Sequence, residues 1–263
     1  MTDSPLLFER DGPIAKITLN RPAAGNALDL PLGSALVQAA IQCDSDPTIR
    51  CVVLTGAGRM FCTGGDIAVM ASSGDQVGAV VSELASTLHM AMSRLARMDK
   101  PLVILVNGPV AGAGFGLSLC GDIVLAARSA KFSAAYGALG VSPDGGLTWL
   151  LPRLVGLRKA QEIIISNRRI DAEEAETIGM ITRVVDDEAL ADEGAKLAAG
   201  LARSATRAIG TSRALLLSAF DNGWEVQMEL EARGIAANIA GPEGREGVAA
   251  FLAKRKPDFP GLK

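Results

Sequence analysis

Residues 101–127 read PLVILVNGPVAGAGFGLSLCGDIVLAA, and this stretch indicates the fold class. It is apolar over a length that would span a bilayer. The turn sequence Asn107-Gly108-Pro109 and the glycine cluster at 112–116 interrupt it, and such residues are typical of turns between buried elements. The apolar runs at 102–106 and 123–125 are therefore predicted to be strands, joined by a turn and an apolar helix.

The segments that precede this stretch continue the alternation of strands and helices. Residues 51–54 form another β-branched run, and apolar residues recur at helical spacing within 32–43 and 77–98. An Asp-Gly pair separates two strand-like runs, 8–10 and 14–19, as in a β-hairpin. Uninterrupted apolar runs are typical of parallel strands buried on both faces, so the sequence predicts an α/β fold built from β-α-β units.

The C-terminal part of the chain has a different pattern. From Gly145 onward the periodicity is helical almost throughout, and no convincing strand follows about Glu188. The apolar stripes of these helices must be covered, either by the sheet or by another subunit. We therefore expect a core at residues 1–187 and a C-terminal helical subdomain at residues 188–263.

Composition excludes several classes of function. The 263 residues carry 26 Lys and Arg against 29 Asp and Glu, a net charge of −3, which argues against a nucleic-acid partner. The single histidine, His89, argues against a metal site built from several histidines. Four scattered cysteines and an N-terminus without a signal-peptide pattern predict reduced thiols and a cytoplasmic location. The interruptions of the apolar stretch 101–127 predict that it does not span a membrane.

Three glycine clusters, at 56–58, 64–65 and 112–116, follow apolar strands or begin helices. Unpaired N–H groups at such turns bind anions or an oxygen that gains charge during a reaction. A dinucleotide site is not predicted for the third cluster, because Leu117 and Tyr136 stand where its last glycine and its acidic residue belong. Close packing of helices is the alternative explanation for any one cluster.

An acidic residue, Asp144, lies in the turn Ser142-Pro143-Asp144-Gly145-Gly146, directly before an apolar helix. An aspartate in this position is a natural N-cap. Taken alone, the position predicts capping more strongly than catalysis.

In order and spacing, these segments resemble the crotonase (enoyl-CoA hydratase/isomerase) superfamily over nearly the whole chain. The resemblance implies a spiral of β-α-β turns, a C-terminal helical trimerisation region, a homotrimer or dimer of trimers, and an acyl-CoA thioester as substrate. Coenzyme A is then part of the substrate, and no separate cofactor is expected. The matching motifs are Arg21-Pro22, Asn26-Ala27-Leu28, Val53 to Gly56, Phe61 to Ile67, Lys100-Pro101, Val106 to Gly108, Gly112 to Gly116, Cys120 to Ile123, Gly140 to Leu154, and Glu246 to Leu252 with Lys254-Arg255.

The same resemblance implies roles for individual residues. The two backbone N–H groups of the oxyanion hole map to Gly65 and Ala113. The coenzyme A contacts map to Ala27, Gly65, Asp66, Ile67 and Ala68, and to Lys254, which could instead belong to an ordinary solvated basic tail.

Departures from the family pattern indicate the reaction. Hydratases of this family use two glutamates, whose positions are Gly116 and Tyr136 here, and neither can act as a carboxylate. Asp144 falls where isomerases and dehalogenases of the family keep an acidic residue, and its surroundings look most like the phenylacetate-pathway ring-epoxide isomerases. We therefore expect an isomerase in which Asp144 moves a proton and Tyr136 orients Asp144 or lines the acyl pocket.

Two alternatives stay open. A 4-chlorobenzoyl-CoA-type dehalogenase would use Asp144 as nucleophile and His89 as base, since His89 precedes Pro101 by twelve residues as that family's histidine does. Tyr136 stands where those enzymes have tryptophan, which counts against this hypothesis. The other alternative is an acyl-CoA-binding relative without activity.

Overall fold

The computed structural model describes residues 4–262. Its strands are β1 (Leu6–Asp11), β2 (Ile14–Leu19), β3 (Cys51–Gly56), β4 (Leu102–Val106), β5 (Val110–Ala111), β6 (Ile123–Ala127), β7 (Lys131–Ser133), β8 (Arg169–Asp171) and β9 (Arg183–Val185). Its α-helices are α1 (Leu30–Ser45), α2 (Ile67–Ser72), α3 (Val77–Arg97), α4 (Ala113–Leu119), α5 (Leu147–Val155), α6 (Leu157–Ser166), α7 (Ala172–Thr177), α8 (Leu190–Ala202), α9 (Thr206–Ser218), α10 (Trp224–Ala240) and α11 (Pro242–Leu252).

A six-stranded sheet in the order β1-β2-β3-β4-β6-β9 forms the centre of the molecule. The β1–β2 hairpin is antiparallel and every other pairing is parallel. All five residues of β4 are buried, as expected for a strand covered on both faces. The predicted β-α-β unit is confirmed, because residues 101–127 contain β4, α4 and β6. Within residues 4–262, no helix is long and apolar enough to cross a membrane.

A second sheet, in the order β5-β7-β8, was not predicted. Its strands have two or three residues, and the region after Gly145, expected to be almost entirely helical, contains two short strands, β8 and β9. Runs this short show no alternation of apolar and polar residues, so periodicity does not distinguish them from loops.

Helices cover both faces of the large sheet. On one side, α1 and α3 pack against each other and contribute buried residues such as Leu36 and Leu88. Asp29 caps α1 by accepting the Leu32 N–H at 2.9 Å. The opposite side of the sheet packs against α8, whose Leu190 and Ala198 are buried in a second apolar cluster.

The last three helices, α9 to α11, surround a groove of about 1090 Å³. Large apolar side chains of these helices are exposed, among them Trp224, Ile235 and Phe251. The sheet thus covers the apolar face of α8, whereas many apolar side chains of α10 and α11 are exposed to solvent. The division of the chain at 187/188 stays a prediction.

All four cysteines are free thiols. Cys43, Cys51 and Cys62 are buried and Cys120 is partly buried. Burial raises the pKa of each thiol to about 12. The thiols are therefore protonated at neutral pH and act as small apolar side chains.

Candidate active site

Two glycine-bearing loops meet at the edge of the sheet. The Gly64 carbonyl accepts the Leu28 N–H at 2.7 Å, which anchors the first loop. A methyl group added to Gly64 would lie 3.1 Å from Gly112 Cα and 3.2 Å from Ala113 N. The loops are thus in van der Waals contact, and Gly65 and Ala113 come close together.

The N–H groups of Gly65 and Ala113 have no hydrogen-bond acceptor among residues 4–262. Ala113 is the first residue of α4, where an N–H has no partner within the helix. Gly112, which precedes it, has φ 53° and ψ −134°, a conformation that glycine adopts readily. Two unpaired donors on adjoining loops can bind a single oxygen atom that carries negative charge.

Asp144 and Tyr136 form the second part of the site. The Tyr136 hydroxyl donates to Asp144 Oδ1 at 2.6 Å. Tyr136 is only 8% exposed, and this burial, together with the adjacent carboxylate, raises the pKa of its hydroxyl above the usual range. The tyrosine therefore remains a neutral donor and fixes one oxygen of Asp144.

Asp144 does not cap α5, and the expectation of an N-cap was wrong. The helix begins at Leu147 after Gly146, and no side chain of the described residues caps it. Gly145 and Gly146 both have positive φ, 59° and 69°, and these two residues separate the aspartate from the helix end. The Asp144 side chain instead accepts from Tyr136.

The turn that carries Asp144 lies against α4. A Cβ at Gly116 would overlap the Gly145 carbonyl oxygen, so the two backbones approach as closely as only glycine allows. A Cβ at Gly145 would lie 3.2 Å from the Ala113 carbonyl oxygen. The structure therefore places the turn that carries Asp144 against Ala113, and it leaves no space for a side chain at Gly116.

His89 lies on α3 beside the same turn. Its Nε2 accepts the Gly145 N–H at 3.0 Å and lies 4.0 Å from Asp144 Oδ2. The side chain is 48% exposed. His89, Asp144 and Tyr136, which are distant in sequence, therefore form one cluster.

A cleft of about 920 Å³ opens beside this cluster. His89 and Gly145 form part of its wall. The other side chains are mostly apolar, with Met92 from α3, Trp149 and Leu150 from α5, and Leu217 from α9.

The motif containing Arg21 was noted in the sequence, but no role was predicted for this residue. Its guanidinium pairs with Asp66 Oδ2 at 2.9 Å and with Asp29 Oδ2 at 3.2 Å. It also donates to the Ala27 carbonyl oxygen. The only sequence signal was the charged residue before Pro22, because Asp66 lies 45 residues further along the chain than Arg21.

The residues expected to contact coenzyme A are only partly brought together. Asp66 caps α2 by accepting the Ala68 N–H at 3.0 Å. Burial opposes ionisation of Asp66, but hydrogen bonds from Arg21 and from the helix N–H groups outweigh it and lower its pKa. Ile67 and Ala68 are exposed, and Ala27 is buried.

Lys254 is the remaining predicted contact, and it lies apart from this loop. It follows α11, is exposed and has φ 52°. Within residues 4–262, no hydrogen bond or ion pair joins its side chain to the loop at Asp66. Its role in binding coenzyme A stays a prediction.

Comparison with known proteins identifies the family of the chain. The Enoyl-CoA hydratase/isomerase family model matches residues 9–262. The chain is 42% identical over 254 residues to the 1,2-epoxyphenylacetyl-CoA isomerase of Escherichia coli (strain K12), covering 94% of this chain and 95% of the relative. It is 32% identical over 262 residues to the 2,3-dehydroadipyl-CoA hydratase of the same organism, covering 98% and 99%.

Solved structures agree with the fold. The crystal structure of an enoyl-CoA hydratase from Polaromonas sp. JS666 superimposes with a TM-score of 0.91, at 31% identity, covering 96% of this chain and 98% of that one. The α/β spiral with C-terminal helices is thus the crotonase fold. The chain belongs to the enoyl-CoA hydratase/isomerase family of acyl-CoA enzymes.

Proposed function

We propose that the chain is an acyl-CoA isomerase, which shifts a double bond or rearranges a ring next to the thioester. The observation that carries the proposal is the Asp144 carboxylate. One of its oxygens is held by Tyr136, and its turn lies against Ala113, whose N–H is unpaired.

In the proposed reaction, Asp144 takes a proton from a carbon of the acyl group. The electron pair of that C–H bond moves toward the thioester carbonyl and forms an enolate. The N–H groups of Gly65 and Ala113 donate to its oxygen and stabilise the charge. Asp144 then returns the proton to a different carbon, so the product has the composition of the substrate and no oxidant or water is consumed.

Hydration is less well supported, because it requires carboxylates that activate water. The two positions that carry them in the hydratases are Gly116 and Tyr136 here. Gly116 lies against the Gly145 carbonyl, so no glutamate fits there with the turn in place. The Escherichia coli relative at 42% identity is a 1,2-epoxyphenylacetyl-CoA isomerase, which also favours isomerisation.

Dehalogenation is less well supported too. It would require a lone pair of His89 to receive a proton. The Nε2 lone pair already accepts the Gly145 N–H, and Tyr136 replaces the expected tryptophan.

The decisive variant is Asp144→Asn. Asparagine keeps an oxygen that accepts the Tyr136 hydroxyl, but it does not take up a proton. We expect unchanged thermal stability and a loss of turnover of about 10²- to 10⁴-fold, the usual contribution of a positioned acid–base group. Asp192→Asn, at an exposed site on α8, is the matched control and keeps full activity.

The substrates to test are a 3-enoyl-CoA, a dienoyl-CoA and 4-chlorobenzoyl-CoA. Isomerisation of either unsaturated thioester by the wild type, lost in Asp144→Asn, supports the proposal. Equal turnover by Asp144→Asn refutes the role of Asp144. Release of chloride, or binding of all three thioesters without any product, refutes the isomerase.

A further inference from the structure

The single histidine has a hydrogen-bond arrangement that fixes its protonation. The Gly145 N–H is a donor and has no lone pair, so the Nε2 atom that it contacts at 3.0 Å must be the acceptor. An imidazole with an unprotonated Nε2 is neutral and carries its hydrogen on Nδ1. The structure is therefore that of a neutral His89.

A protonated His89 would lose this hydrogen bond. Imidazolium has two N–H donors and no acceptor, so it repels the Gly145 N–H. Asp144 Oδ2 lies 4.0 Å from the same nitrogen and is an anionic partner for it. Protonation thus exchanges a bond to the backbone for an ion pair with the side chain next to it.

The turn has few other anchors. Its two glycines have positive φ, and no side chain within residues 4–262 caps the helix that follows. On its carbonyl side, Gly145 rests against Gly116. On its N–H side, the acceptor is His89. The histidine therefore anchors the N–H next to Asp144, and together with Tyr136, which holds Asp144 Oδ1, it positions the Asp144 carboxylate.

We infer that His89 is a positioning residue whose neutral imidazole holds the Gly145 N–H and so keeps Asp144 Oδ2 free to act as base, and whose protonation closes the site by pairing with Asp144. This inference rests on the proposed role of Asp144.

The other charged groups near the imidazole do not compete for it. Tyr136 donates to Asp144 Oδ1, the other oxygen of the carboxylate. The remaining charged groups of the cleft are Arg97 on α3, Arg213 on α9, Asp122 after α4 and Asp221 after α9. Their side-chain partners are Ser93 for Arg97, Arg213 for Asp122, and Arg153 for Asp221. Asp144 is therefore the carboxylate that responds to the charge of His89.

The first test uses the fact that the chain has one histidine. Protein labelled with ¹⁵N-histidine gives the signals of a single imidazole. At pH 8 we expect hydrogen on Nδ1, the minor tautomer of free histidine, and a change in the Gly145 amide signal when the ring is protonated at lower pH. Hydrogen on Nε2 at pH 8, or a Gly145 amide that does not move, overturns the inference.

The second test compares two variants. Glutamine at position 89 places an oxygen where Nε2 lies and does not titrate, whereas alanine provides no acceptor. We expect His89→Gln to retain turnover within about threefold of wild type at pH 8 and to lose the decline in kcat at acid pH that protonation of the imidazole causes. His89→Ala should lower kcat about 100-fold, as expected for a misplaced base, with a much smaller change in KM. Met90→Ala, a neighbouring exposed position on α3, controls for effects on the helix.

The outcomes separate the two proposals. If Asp144→Asn is active, the proposed function fails whatever His89 does. If Asp144→Asn is inactive while His89→Ala has wild-type kcat, only the role of His89 fails. If His89→Gln is as inactive as His89→Ala, the imidazole itself transfers a proton, and positioning is overturned.

Discussion

The close approach of α4 to the catalytic turn gives the sharpest prediction, for Gly116→Ala. The added Cβ would overlap the Gly145 carbonyl oxygen and would lie 2.8 Å from its carbon and 3.3 Å from its Cα. Carbon atoms in contact are about 3.5–4.0 Å apart, so the turn must retreat by about 0.7 Å or more. Asp144, the preceding residue, must move with it.

The two consequences differ in size. Forcing an extra carbon into a packed core costs about 1–3 kcal/mol, and replacing a helical glycine by alanine recovers up to about 1 kcal/mol. The free energy of unfolding should therefore fall by only about 0–2 kcal/mol. A displacement of about 1 Å at a catalytic group can lower the rate about 100-fold. That factor corresponds to about 2.7 kcal/mol of transition-state stabilisation, which exceeds the expected loss of folding stability.

The assay measures urea unfolding and isomerase turnover side by side. Gly200→Ala is the matched control, because Gly200 lies in α8 and an added Cβ would meet no atom within 4 Å. This control should gain about 0.5–1 kcal/mol of stability and keep its activity. A Gly116→Ala variant with wild-type turnover would show that the turn does not need this close contact, and the reasoning would fail.

Three further predictions use other parts of the chain. Tyr136→Phe removes the hydroxyl that donates to Asp144, and hydrogen bonds to charged groups contribute about 1.5–3 kcal/mol. The kcat measured with a 3-enoyl-CoA should therefore fall at least about tenfold, and an unchanged kcat would refute the orienting role of Tyr136. Hydrogen bonds from Arg255 lower the pKa of Glu246 to about 2, below the value of about 4.3 in the unfolded chain. The ionised Glu246 therefore stabilises the fold above about pH 4.3, and this stabilisation is lost as the pH falls through about 2. Glu246→Gln should flatten the decline of the unfolding free energy across that pH range. Phe251 is 83% exposed beside the C-terminal groove, and we expect it to lie between subunits of the expected trimer. Phe251→Glu should therefore lower the molar mass measured by light scattering to that of a monomer, and an unaltered mass would argue against this interface.

The sequence predicted five of the six strands of the large sheet, because these five have five or six residues each, and it missed the three-residue β9. The predicted runs 14–19 and 102–106 coincide with β2 and β4, and the helix predicted at 77–98 differs from α3 by one residue. The small sheet was missed, since β5 has two residues and β7 and β8 have three. Strands this short are held by hydrogen bonds to strands that are distant in sequence, and their own residues show no periodic pattern.

Part of the candidate site depends on contacts that no local pattern reveals. Asp144 looked like a helix cap because it is followed by two glycines and an apolar helix. Gly145 and Gly146, both with positive φ, separate it from the helix, and its side chain accepts from Tyr136 instead. The contact between His89 and Gly145 joins residues 56 positions apart, and it follows from the packing of α3 against the turn.

The buried thiols have a practical consequence for measuring how the fold opens. Cys43 lies in α1, Cys51 begins β3, and Cys62 lies just before the loop at Gly64. Thiolates attack alkylating reagents, and a buried thiol stays protonated, so these three thiols react only when their own element exposes them to solvent. Mass spectrometry of the three alkylated peptides would therefore report separately on the opening of α1, of β3 and of the loop at Gly64, without any engineered label.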